Sequence, residues 1–358
     1  SELGATEVSL RGNPLTREVM TRAHMSQHFN RPYSFAMDLP PEIACLHNEA
    51  HSSDSEAEFS WDEAETEAAG DEAPAGAEAW NAGTVEENEA LTRHWEQLQE
   101  GGSAGNLLGL IERLRQSADY RNAGVRVELT GRVREVLQAA VEDPSLCALL
   151  DGMAQEPLQQ FRDYDTCPDG IRMEFNQMEI QVYTRRALRE VPAEHRGEEL
   201  YRLMRRLFRS QRLDSIAREQ AVGRDEAEVR LAYRLRWAET LDLPQPPRHM
   251  LFRSVADIRA GELDRALERV TADETGQAML DYASQCDFWT TYLRETHAEA
   301  FRSLKDNFEN SVTELFDRYP DDSAEQSSTR IRELEEQFRK DETTLLQTLT
   351  YRAGLQQG

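Results

Sequence analysis

Glu89-Ala90-Leu91-Thr92-Arg93-His94-Trp95-Glu96-Gln97-Leu98 places Leu91, His94, Trp95 and Leu98 at intervals of three and four residues. Positions so spaced share one face of a helix. Leu107, Leu108, Ile111 and Leu114 repeat the pattern, as do Val127, Val133, Val136, Leu137 and Ala140. Further amphipathic stretches cover 144–161, 171–188, 198–221, 225–241, 255–271, 273–318 and 327–352. The stretch 273–318 is long enough to require a break. Glycine and proline punctuate most boundaries, at Pro144, Gly170, Gly197, Gly223, Gly261 and Pro320. No strand-type alternation follows residue 90, so the reading is an all-α fold. Leu243-Pro244-Gln245-Pro246-Pro247 is the best internal hinge. It divides a catalytic helical lobe, 89–244, from a second lobe, 245–358.

Toward the N-terminus the character changes. From Glu49 to Ala90 there are fourteen Asp or Glu and no Lys or Arg, among much Ala, Ser and Gly. Such a segment buries too little surface to offset its ordering entropy, so 49–88 reads as a disordered acidic linker, on which Phe59, Trp61 and Trp80 are the candidates for local docking. Ahead of it, Val8-Ser9-Leu10-Arg11-Gly12-Asn13-Pro14-Leu15 reads as a short strand closing in an Asn-Pro turn, the way a leucine-rich repeat ends. One repeat cannot bury its own apolar face, so it is read as the last of a stack. Residues 16–30 suit a short helix, and Arg31-Pro32-Tyr33-Ser34-Phe35-Ala36-Met37 an extended segment. The region 1–48 is therefore a small β remnant with its connecting segment.

The formal net charge is −26, of which residues 49–90 carry −14. An acidic chain is a poor partner for nucleic acid and for an anionic membrane surface. No apolar run approaches the ~18 residues a spanning helix needs. Ser1 to Val8 lacks the basic start and apolar core of a signal peptide. The four cysteines, Cys45, Cys147, Cys167 and Cys286, lie far apart without a CxxC pair. Neither a disulfide framework nor a zinc site is expected, and no metal or cofactor is called for.

One cysteine stands out. Cys147 lies on an apolar helix face, Cys286 precedes Phe288 and Trp289 in a long helix, and Cys45 has no chemical neighbours. Cys167 sits in Asp163-Tyr164-Asp165-Thr166-Cys167-Pro168-Asp169-Gly170, between two helical patterns. Pro, Asp and Gly there favour a turn, and Asp169 is placed to N-cap the helix that follows. A thiol just ahead of a helix N-terminus feels the positive end of the dipole, which favours the thiolate. The expectation is an exposed, activated nucleophile, aided by Arg162 and Arg172 and opposed by Asp163, Asp165 and Asp169. The same residues also suit a turn in which Asp169 merely caps a helix. Hydrolase chemistry needs a histidine beside the thiol. None of His24, His28, His47, His51, His94, His195, His249 and His297 stands in a recognisable protease context. Cys-x-Asp instead offers a carboxylate able to take a proton from an incoming amine.

In this setting the chain resembles the NEL ubiquitin ligases, the IpaH/SspH class of bacterial type III effectors. The resemblance is carried by Leu10 to Leu15, by Arg31-Pro32 to Met37 and by Trp95 with Leu107 to Leu114. It continues through Thr166-Cys167-Pro168-Asp169, Leu213-Asp214-Ser215-Ile216-Ala217-Arg218-Glu219, Asp225-Glu226-Ala227-Glu228-Val229 with Leu231-Ala232-Tyr233, and Phe288-Trp289. The acidic linker is longer than the family pattern leads one to expect.

The resemblance implies a two-lobed helical ligase domain behind a leucine-rich-repeat end. It implies that Cys167 accepts ubiquitin from a loaded host conjugating enzyme as a thioester and passes it to a substrate lysine. Asp169 would act as base or orienter, with Arg218 and Glu219 as a supporting shell. Ubiquitin, the conjugating enzyme and host substrate proteins are the implied partners. Secretion by a type III system into the host cytoplasm is the implied location. With nearly all repeats missing, the implied ligase lacks its usual restraint. Two other readings stand beside this one. The first is a non-enzymatic helical or repeat effector that binds host proteins, and the second is a cysteine hydrolase.

Overall fold

The computed structural model describes residues 7–9, 34–36, 75–160, 167–250, 256–319 and 324–357. Two short strands, β1 (Glu7–Ser9) and β2 (Ser34–Ala36), pair in parallel with Val8 opposite Phe35. β2 falls within the stretch read as extended, and β1 overlaps the start of the stretch read as a strand and turn. The proposed helix at 16–30, Cys45, Phe59, Trp61 and residues 161–166 lie outside the described residues.

After a 3-10 turn at Gly76–Trp80, every described element is helical. These are α1 (Val85–Gly101), α2 (Gly105–Leu114), α3 (Ala118–Arg121), α4 (Ala123–Glu142), α5 (Pro144–Gln160) and α6 (Pro168–Glu190). Then come α7 (Arg196–Gln220), α8 (Glu226–Trp237), α9 (Glu262–Glu274), α10 (Gln277–Gln285), α11 (Asp287–Thr296), α12 (Ala298–Arg318) and α13 (Ala324–Gln357). The break expected within 273–318 is threefold, at Thr275–Gly276, at Cys286 and at His297. No helix of the described residues is long and apolar enough to cross a membrane.

Local chemistry accounts for the helix ends. Thr84 and Glu87 form a reciprocal capping box at the start of α1, and Gly102, at φ +66°, closes it in the left-handed conformation. The N-terminus of α2 has no cap of its own. Asp151 on α5 supplies one, accepting from the backbone N–H groups of Asn106 at 2.8 Å and Leu107 at 3.0 Å. A tertiary contact thus satisfies donors that the local sequence leaves open.

The linker reading is corrected at its C-terminal end. Gly76–Trp80 is ordered and α1 begins at Val85. Trp80 is fully buried, edge-on to Tyr120 with ring centroids 5.0 Å apart, and the Tyr120 hydroxyl donates to the Ala79 carbonyl. A single large aromatic buries enough area to order a short acidic stretch that composition alone assigns to disorder.

The described apolar residues form three cores. The first is built from α1, α2, α4, α5 and one face of α6. The second joins the C-terminal half of α7 (Leu213, Ile216, Ala217) to α8 and α9. The third joins the N-terminal half of α7 (Leu200, Met204, Phe208) to α10, α11 and α13. The division runs along α7 instead of falling at residue 244. Leu241 and Leu243 belong to the same core as Ala256 and Val270, on both sides of the proline run. The run is a strap, held by Arg132 donating to the Pro246 carbonyl at 2.9 Å and by the Asn176 amide on the Gln245 carbonyl.

Candidate active site

The first turn of α6 presents Cys167 and Asp169. Helix α6 starts at Pro168, whose missing N–H costs nothing at that position. Cys167 therefore takes the N-cap place, without a side-chain cap bond, and Asp169 lies inside the first turn. This corrects the expected cap. The Asp169 Oδ1 instead accepts from the Ala118 N–H of α3 at 2.8 Å. That bond is completely buried and fastens the start of α6 to α3.

The thiol is buried as well. Cys167 is 5% exposed, where an exposed nucleophile was expected. Its Sγ donates to Glu228 Oε1 at 3.3 Å, across the contact of α6 with α8. Asp225, the N-cap of α8, accepts from the Glu228 backbone N–H at 3.1 Å and also interacts with the thiol. The surroundings favour the neutral sulfur. Burial pushes the thiol well above its ordinary value, and the charges of Glu228, Asp225 and Asp169 push it further. A backbone hydrogen bond opposes them without prevailing. Burial likewise raises Asp225. The resting site is thus a protonated thiol facing a carboxylate cluster. The helix dipole loses because desolvation of a sulfur anion among carboxylates outweighs a partial charge at the helix end.

Acidity does not distinguish this cysteine. Burial raises Cys147 too, and pushes Cys286 up to about 12. What distinguishes Cys167 is the pair of acidic side chains from α8. Among the described residues no histidine hydrogen-bonds the thiol; its partner is the Glu228 carboxylate.

Arg172, expected to lend positive field to the sulfur, is committed elsewhere. It is 1% exposed and pairs with Asp119 at 2.6 Å and Glu179 at 2.9 Å. Asn176 bonds Glu179 and receives Arg234, which also reaches Asp214 at 3.3 Å. Arg230 pairs with Asp214 at 2.9 Å. Burial works against an ionised Asp214, yet Arg234, Arg230 and Arg218 hold its carboxyl below the usual range. This network runs from α3 through α6 to α7 and α8, and so sets the registry of the two helices that meet at the thiol.

Of the four residues singled out from sequence, Cys167 and Asp169 share one helical turn. Arg218 and Glu219 do not join them. Arg218 is half exposed and pairs with Asp214 at 3.2 Å, while Glu219 pairs with Arg269 at 2.9 Å. Glu228 and Asp225 were present in the motif at 225–229 but carried no signal of their role. Helix periodicity shows which residues of α8 share a face, not which distant helix that face meets. Among the described residues there is no cluster of metal-ligating side chains.

Residues 80–300 match the family profile described as NEL, C-terminal novel E3 ligase, LRR-interacting. The E3 ubiquitin-protein ligase ipaH9.8 of Shigella flexneri is 25% identical over 234 residues, 64% of this chain and 40% of that protein. The E3 ubiquitin-protein ligases ipaH7.8 and ipaH3 of Shigella flexneri are each 24% identical over 220 residues, 60% of this chain. They are covered over 37% and 36% of their own length. The chain thus spans about two fifths of the length of these curated relatives.

Proposed function

The chain belongs to the C-terminal novel E3 ligase (NEL) family, and from that premise we propose that it is a ubiquitin-protein ligase working through a thioester on Cys167. The observation that carries the reading is the hydrogen bond from Cys167 to Glu228, inside the family-matched region and one turn from Asp169. A cysteine held as a thiol needs a base when it attacks, and Glu228 is the base in contact.

In the proposed first step Sγ attacks the carbonyl carbon of ubiquitin's thioester on a conjugating enzyme. The Cys167 proton passes to Glu228, the carbon–sulfur bond to the conjugating enzyme breaks, and its thiolate takes the proton. In the second step a lysine amine attacks the carbonyl carbon of the Cys167 thioester, with Asp169 orienting it or taking its proton, and the carbon–sulfur bond breaks so that Cys167 leaves as a thiolate and is reprotonated. Exchange between thioesters is nearly balanced in energy, so positioning of the partners governs the rate. Because the sulfur is buried at rest, docking of the loaded conjugating enzyme must uncover the start of α6. Conjugating enzyme, ubiquitin and host substrates are the proposed partners, and delivery by a type III system into the host cytoplasm is the proposed setting.

The 5% exposure of Cys167 favours one second reading, in which the thiol is core packing and the helices are a non-enzymatic scaffold. A single experiment separates the two. The chain is mixed with ubiquitin, activating enzyme and conjugating enzyme, and run on non-reducing and reducing gels. The ligase reading expects a reductant-sensitive ubiquitin adduct on the wild type that Cys167→Ala abolishes, and an Asp169→Asn adduct that discharges slowly. No adduct on the wild type leaves the scaffold.

A further inference from the structure

We propose that Lys305 and Lys340 are the only self-ubiquitination sites of this chain, and that arginine in place of lysine withholds the rest of its surface from the Cys167 thioester. The inference rests on the ligase reading above and extends it to the amines that can receive the transfer.

The starting observation is compositional. Of 41 basic Lys and Arg residues only two, Lys305 and Lys340, are lysine. The chemical difference matters here. A lysine ammonium releases a proton to give a nucleophilic amine, whereas the delocalised guanidinium stays protonated and offers no free lone pair. In the transfer the lysine nitrogen bonds to the glycyl carbonyl carbon and the carbon–sulfur bond to Cys167 breaks. The sulfur retains the electron pair and is reprotonated, and the second proton of the original ammonium goes to solvent. Arginine cannot perform this step.

Structure explains some of the arginines and not others. Arg172 and Arg230 are buried and make forked or multiple contacts that lysine's single ammonium does not reproduce. On the surface that reason disappears. Arg185 and Arg189 meet Asp143 at 4.0 and 3.1 Å and Arg202 meets Glu198 at 3.0 Å, with the arginine side chains about half exposed. Exposed pairs of this kind contribute little whichever cation makes them. Packing therefore does not demand arginine at these positions, and a selection against amines does account for it.

Both lysines stand on the α12–α13 hairpin, outside the family-matched residues 80–300. The Lys305 side chain is 68% exposed and Lys340 is exposed. The Phe308–Phe338 ring contact at 5.0 Å fixes the hairpin register and brings the two lysines to about the same height. The hairpin packs on α7, α10 and α11, whereas the thiol faces α8. Self-transfer is thus confined to one arm.

The test uses the full chain in the reconstituted reaction, as wild type, K305R/K340R and R185K/R189K/R202K. Thioester formation, discharge to free lysine and reductant-resistant self-conjugates are measured, with the attachment sites mapped by mass. We expect wild-type self-conjugates on Lys305 and Lys340 alone. K305R/K340R should lose them while keeping thioester formation and discharge unchanged. R185K/R189K/R202K should gain conjugates at the new lysines. Reductant-resistant ubiquitin persisting on K305R/K340R, through hydroxyl groups or the terminal amine, would overturn the inference. So would a triple variant that charges normally and gains nothing. A wild type that forms no thioester removes the ligase reading itself, and this inference with it.

Discussion

Cys167 Sγ and Glu228 Oε1, 61 residues apart in sequence, lie 3.3 Å apart where α6 meets α8. The pair gives Glu228 two opposite influences on the sulfur. As a neighbouring charge it keeps the thiol protonated, and as a base in contact it removes the proton during attack.

Glu228→Gln separates these influences. Loss of the charge alone would speed thioester formation, because the thiol would ionise more readily. Loss of the base slows it, and we expect a fall of about 100- to 10,000-fold, the scale of general-base effects. Single-turnover transfer of ubiquitin from a loaded conjugating enzyme measures it. An unchanged or faster rate refutes the base role, and circular dichroism confirms that the variant is folded.

The raised thiol has a consequence for stability. Burial first, then the charges of Glu228, Asp225 and Asp169, lets native Cys167 keep its proton where an unfolded thiol loses it, near pH ~8.5. Between those two values the unfolded state binds fewer protons, so stability falls as pH rises. The contribution is therefore complete below pH ~8.5 and lost progressively above it. Urea unfolding across this range should show the decline, and Cys167→Ala should flatten part of it. Cys147 and Cys286, raised by burial as well, contribute to the same decline. Identical slopes for wild type and Cys167→Ala would refute the assignment.

Arg172→Met leaves Asp119 and Glu179 without the cation between them. Breaking a buried ion pair from one side costs about 3–5 kcal/mol. The loss should appear as a lower denaturation midpoint at unchanged m. Because the same network sets the meeting of α6 and α8, thioester formation should weaken even where the variant is fully folded. A stability change below about 1 kcal/mol would show that the pair is not coupled to the fold as described.

Trp80→Ala tests where the ordered body begins. The ring is fully buried against Tyr120 and the first core. Truncation should cost about 3–5 kcal/mol. A disordered linker predicts no change, so thermal melting of this variant decides between the two descriptions.

Much of the helical framework was legible in the sequence because helix formation is local. The spacing of Leu91, Trp95 and Leu98, or of Leu107, Ile111 and Leu114, states which face is apolar without reference to any partner. The helix after Cys167 was legible for the same reason, but the sequence places its start near Ile171 behind an Asp169 cap, whereas Pro168 opens it three residues earlier. The two ends of the proline run were misjudged because proline marks a chain reversal whether or not a core continues beneath it. Leu241 and Leu243 show that this one does.

By itself the sequence determined the helical character of the chain beyond residue 90, the approximate place of most described helices and a cysteine ahead of one of them. These follow from periodicity and turn chemistry within a few residues. Only the tertiary structure decided that the sulfur is buried, that it faces Glu228 and Asp225, that Asp169 holds Ala118, and that Arg172 answers Asp119 and Glu179. A thiol's charge state depends on desolvation and on groups within a few ångströms, and here those groups arrive from helices fifty to sixty residues away.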